Sequence, residues 1–78
     1  MSKTLEELGY EKSESETRFI FRKGYEDCTV LISFFKAIKD VELKAIRKED
    51  GLREDIILNM EELKAIYKYC EEQGWINE

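Results

Sequence analysis

Apolar and polar positions alternate along the first half of the chain, and the alternation predicts strands. Residues 17–23 (TRFIFRK) interleave aromatic and β-branched side chains with charges, which marks a strand. Residues 28–35 (CTVLISFF) are richer still in β-branched and aromatic types and predict the central strand. Gly24, Tyr25, Glu26 and Asp27 between them have turn composition. Upstream, residues 10–13 predict a short strand that leads into a polar turn at 13–16. The pattern Thr4-Leu-Glu-Glu7 has the form of a capping box, and Gly9 is suited to end a single helical turn in the left-handed conformation. So short a turn cannot stand alone, so Leu5 and Leu8 are expected to pack on the rest of the chain.

Residues 40–47 (DVELKAIR) fit two templates. Val41, Leu43 and Ala45 alternate with Glu42 and Lys44 as in a strand. Phe34, Ile38, Val41 and Ala45 also fit a helical stripe, and lysine, leucine and alanine favour helix. The strand is the preferred reading, with the helix kept as the alternative for residues 34–46. Residues 49–55 read as a charged, glycine-containing loop, and 56–58 as a short extended piece.

The period then changes to that of a helix over residues 60–73. Asn59 is a good N-cap, and Glu62 three positions on completes a second capping box. Leu58 and Leu63 are spaced for a hydrophobic staple across that start. Leu63, Ile66, Tyr67 and Cys70 predict the buried face, with Glu61, Lys64, Lys68 and Glu72 toward water. Gly74 fits the position past the helix end, and Trp75 the apolar residue that folds back on Cys70 in a Schellman motif.

Together these elements predict one α+β domain over residues 1–78. Its architecture is two-layer: an antiparallel meander of three to four strands packed by one C-terminal α-helix, with a short N-terminal helical turn. Phe19, Phe21, Val30, Ile32, Phe34, Val41, Leu43 and Ala45 share the face that the helix covers. The opposite face carries Arg18, Ile20, Arg22, Leu31, Phe35, Lys44 and Ile46, with Thr29, Ser33 and Glu42 among them. Four large apolar residues are many for a sheet surface meant only for water. Either the N-terminal turn or the 49–55 loop folds over that face, or a protein partner or a second copy binds it. In the second case the arginines and the lysine form a polar rim.

Composition narrows the function classes. The 78 residues carry 42% hydrophobic and 40% charged side chains, with a net charge of −5. That sign works against phosphate backbones and anionic lipid, so neither nucleic acid nor membrane is expected as a partner. The longest apolar stretch, residues 30–35, is too short to span a bilayer, and the opening residues lack the apolar core of a leader, so the expected location is the cytoplasm. There is no histidine. General acid–base and nucleophilic catalysis therefore lack their commonest participant, and Cys28 and Cys70 lack a partner for metal binding or thiolate chemistry. They read as small apolar side chains. The isolated glycines form no phosphate-cradling loop. Paired glutamates at 6–7 and 61–62 suit helix starts, whereas Glu71 and Glu72 sit against the dipole. The expectation is a non-enzymatic protein with no cofactor and no metal.

Residues 59–66 (NMEELKAI), the ending Glu72-Gln-Gly-Trp75, Leu8-Gly-Tyr10 and Leu31-Ile-Ser-Phe34 resemble small uncharacterised proteins of Gram-positive bacteria and their phages. In those, a short meander is followed by a helix with an E-L-x-A-I start and a G-W end. The resemblance implies an accessory protein of a mobile element or its host and carries no catalytic residue. The leading functional reading is a protein-binding module acting through the open sheet face or as a homodimer. A second is an acidic decoy that occupies a basic, nucleic-acid-binding surface, with Glu11, Glu14, Glu16, Glu26, Asp27, Glu49, Asp50, Glu54 and Asp55 as its rim. A third is a structural component of a larger assembly.

Overall fold

Each alternating segment is joined to the next by a short turn, so the strands have little choice but to pair with their neighbours in sequence. The computed structural model describes residues 3–76. It contains strands β1 (Glu11–Glu14), β2 (Arg18–Gly24), β3 (Cys28–Phe35), β4 (Asp40–Arg47) and β5 (Arg53–Glu54), followed by helix α1 (Met60–Glu72). The five strands form one antiparallel sheet in the order β1-β2-β3-β4-β5. The fold is therefore the expected α+β meander packed by a C-terminal helix.

Register explains why residues 40–47 choose strand over helix. Val41, Leu43 and Ala45 stand opposite Phe34, Ile32 and Val30, so these three apolar residues of β4 each meet one of β3 on the helix-covered face. The competing helical stripe would have needed Ile38, which instead lies exposed in the turn at 36–39. Residues 49–55, expected as loop throughout, include the two-residue β5 opposite Ala45 and Ile46. The first strand begins and ends one residue later than its sequence pattern suggested.

The buried centre holds Leu5, Tyr10, Phe21, Val30, Ile32, Phe34, Ala45, Ala65, Ile66 and Cys70. Tyr69 closes it with three ring contacts, at 5.6, 5.1 and 4.7 Å from the centroids of Phe19, Phe21 and Phe34. The helix is rotated from its expected setting. Its inward stripe is Glu62, Ala65, Ile66, Tyr69 and Cys70, while Leu63 is 51% and Tyr67 47% exposed. Aromatic packing of Tyr69 over three phenylalanines decides the rotation, and hydrophobicity counted along the helix could not register that long-range contact.

Both ends of α1 follow their local chemistry. Asn59 Oδ1 accepts from the Glu62 N–H at 2.8 Å, and Glu62 Oε1 accepts from the Asn59 N–H at 3.1 Å. At the other end the N–H groups of Gly74 and Trp75 donate to the carbonyls of Glu71 and Cys70, the paired bonds of a Schellman motif. Gly74 takes φ +75° to make that turn. The N-terminal turn has its own reciprocal pair between Thr4 and Glu7. Leu5 seats it in the core, and the Lys23 ammonium donates to the Leu8 carbonyl at 2.8 Å.

Candidate protein-binding face

The residues that point away from α1 fall into lateral rows set by strand register. Glu11, Arg22, Leu31 and Lys44 make one row, and Ser13, Ile20, Ser33 and Glu42 the next. Arg18, Phe35 and Asp40 follow on one side, and Gly24, Thr29, Ile46 and Arg53 on the other. All seven residues singled out for this face, Arg18, Ile20, Arg22, Leu31, Phe35, Lys44 and Ile46, thus share it.

Within these rows the four apolar residues run diagonally. Ile46, Leu31, Ile20 and Phe35 each neighbour the next across one strand boundary, which makes a continuous stripe rather than isolated spots. Ser33 lies beneath the stripe and is buried by it, at 5% exposure. The stripe itself is half-buried, and long cationic side chains share its rows. The Arg18 guanidinium carbon stands 5.7 Å from the Phe35 ring centroid, a cation–π contact, and Lys44 pairs with Glu42 at 3.8 Å. Between β1 and β3 the surface dips into a shallow depression of about 350 Å³ lined by Glu11, Lys12, Ser13, Ile20, Arg22 and Leu31.

Neither segment expected as a possible cover lies here. The N-terminal turn is held to the opposite layer by Leu5, Leu8 and Tyr10, and residues 52–54 extend the sheet beside β4 instead of crossing it. Ile56, Leu58, Trp75 and Ile76 also pack on the helix side. No described segment covers the stripe.

Two features escaped the sequence reading. Leu43, like Leu63 and Tyr67, is left exposed although it was expected in the core, and among the described residues Met60 and Ile57 are exposed as well. The second is Glu62, whose capping role was legible but whose burial was not. Its Oε2 accepts from the Tyr10 hydroxyl at 2.5 Å, so one carboxylate joins the helix start to the N-terminal segment. Burial, followed by the bond to Glu62, pushes the Tyr10 phenol well above the ordinary tyrosine range. The position of Glu62 three and four residues ahead of Ala65 and Ile66 was the available signal, since it heads the inward stripe.

A cleft of about 250 Å³ opens beside this pair, lined among others by Tyr25, Cys28, Ile56 and Leu58. Both oxygens of Glu62 are engaged structurally, one by the Tyr10 hydroxyl and the other by the Asn59 N–H. Cys28 and Cys70 are free thiols, and burial pushes the Cys70 thiol up, away from the thiolate. Among the described residues no group of three carboxylates or thiols is arranged to hold a metal, and no helix is long and apolar enough to cross a membrane. Comparison of the chain with family models, curated proteins and solved structures found no match.

Proposed function

We propose that this chain is a small, non-enzymatic, cytoplasmic protein-binding module that engages its partner through the open sheet face. The observation that carries the reading is the continuous diagonal of Ile46, Leu31, Ile20 and Phe35, bare of any described segment while the other face is closed by α1. Arg18, Arg22 and Lys44 beside the diagonal favour a partner whose apolar ridge is flanked by carboxylates. An accessory role of this kind also agrees with the resemblance to small phage and Gram-positive proteins.

The charge-decoy reading draws less support from the geometry. Its acids are interrupted by cations: Arg47 binds Asp50 at 2.7 Å and approaches Glu54 at 3.6 Å, and Lys36 binds Glu14 at 2.8 Å. A decoy needs an unbroken field of one sign.

The test is affinity capture from a lysate of the source organism at low and high salt, with wild type and Phe35→Lys as baits. We expect a partner held through high salt by wild type and lost by a folded Phe35→Lys variant, and the same loss with Leu31→Lys. Release of the partner by salt alone would favour the decoy, because screening weakens charge contacts and spares apolar ones. Unfolding of both variants would assign the stripe to stability and end the reading.

A further inference from the structure

The two edges of the sheet differ. Strand β1 is short, fully exposed and charged on both faces (EKSE), the usual protection of an edge against pairing. At the other edge β5 covers only Ala45 and Ile46, which leaves residues 40–44 of β4 as a bare edge among the described residues. The direction of its free backbone groups follows from Arg47, whose N–H donates to Leu52 and whose carbonyl accepts from Gly51, both away from β3. Backbone groups alternate along a strand, so Val41 and Leu43 also aim their N–H and C=O outward.

We infer that this bare half of β4 pairs with its counterpart in a second copy of the chain, antiparallel, about a twofold axis at Glu42. Faces must match across a sheet, so residue i can pair only with a residue of the same parity. In the register centred on Glu42, Val41 meets Leu43 of the second copy and Leu43 meets Val41. These are the residues whose backbone groups point outward, so four hydrogen bonds form. On the open face Asp40 meets Lys44 and Lys44 meets Asp40, two opposite-charge pairs. Centring on Val41 instead would set Asp40 against Glu42 twice. Charge therefore selects the first register, with the single Glu42–Glu42 contact tempered by Lys44 at 3.8 Å in each copy. Extension beyond Ala45 is blocked by β5, so five residues are what the edge can offer.

The helix side supplies the apolar part. Lys3 approaches Glu61 at 3.9 Å, so the N-terminal turn lies along the α1 flank that carries Glu61 and Lys68. That turn is anchored at the β2 side through Lys23. Leu63 and Tyr67 occupy the opposite flank and so lie toward β4, on the side of the 40%-exposed Leu43. Doubling the sheet across β4 brings these two flanks together and covers side chains that the monomer leaves in water.

Sedimentation equilibrium on the full chain at micromolar to hundred-micromolar concentration tests the proposal. Wild type should be a dimer at the upper end. Lys44→Glu should weaken it by about tenfold or more, since both pairs turn repulsive. The double swap Asp40→Lys with Lys44→Asp should restore it, because the pairs re-form with signs exchanged. Glu42→Cys should cross-link to a covalent dimer on mild oxidation, because facing residues of a non-hydrogen-bonded pair lie about 4.5 Å apart. A Glu26→Cys control, remote from the edge, should not. A wild type that stays monomeric throughout overturns the inference, as does a dimer indifferent to Lys44→Glu or one abolished by Phe35→Lys. The last result would move self-association to the open face.

Discussion

Lys39 holds φ +57° in the turn between β3 and β4, a conformation that costs an ordinary side chain about 1–2 kcal/mol. Glycine would relieve that strain while losing roughly 0.4–1 kcal/mol through a freer unfolded chain. Lys39→Gly is therefore expected to raise stability by about 0.5–1 kcal/mol in urea unfolding. Tyr10 works in the other direction. Its hydroxyl donates to a buried carboxylate, so Tyr10→Phe should lose about 1.5–3 kcal/mol at neutral pH. The folded phenol holds its proton more tightly than the unfolded one, so its contribution is whole below pH ~10 and declines as pH rises beyond it. The gap between wild type and Tyr10→Phe should accordingly narrow between pH 9 and 11. A gap that stays constant would mean that the bond to Glu62 does not govern the titration. Nothing in the spacing of Tyr10 and Glu62 announced this pair, because 52 positions separate them.

At the scale of elements, what could be read in advance was what local chemistry decides. Asn59, Glu62 and Gly74 set the ends of α1 within one residue, and alternation in β2, β3 and β4 sorted core from open face in the register later found. The rotation of α1 was not legible, since Leu63 and Tyr67 satisfy a helical stripe as well as Ala65 and Tyr69 do. Only Phe19, Phe21 and Phe34 beneath the helix distinguish the two settings. The rotation has a measurable consequence. Ile66→Ala should cost about 2–5 kcal/mol, whereas Leu63→Ala should cost about 1 kcal/mol or less. Equal losses in urea midpoints would return Leu63 to the core. The short β5 was hidden for a similar reason: two charged residues pair there because β4 presents an edge, not because Arg53 and Glu54 favour a strand.

For the whole molecule, the open face was legible as a set of residues, and its diagonal continuity only from register. If two copies join through β4, their open faces become one surface with two partner sites on the same side. Against an immobilised partner, wild type should then bind of the order of a hundredfold more tightly than Leu43→Glu, which opens the β4 pairing from the helix side, with equal affinity for the partner free in solution. Biosensor and solution titrations compared side by side would check this, and equal retention of both proteins on the surface would argue against paired sites. Finally, the sheet repeats in space the order of its strands in sequence. Every hairpin can close across a few residues, and the one distant closure is the docking of α1, so the slow step in folding should be the helix's return. Phe21, Ile32 and Phe34 stay uncovered until α1 docks, and in that interval the half-folded chain exposes the kind of apolar surface that chaperones recognise.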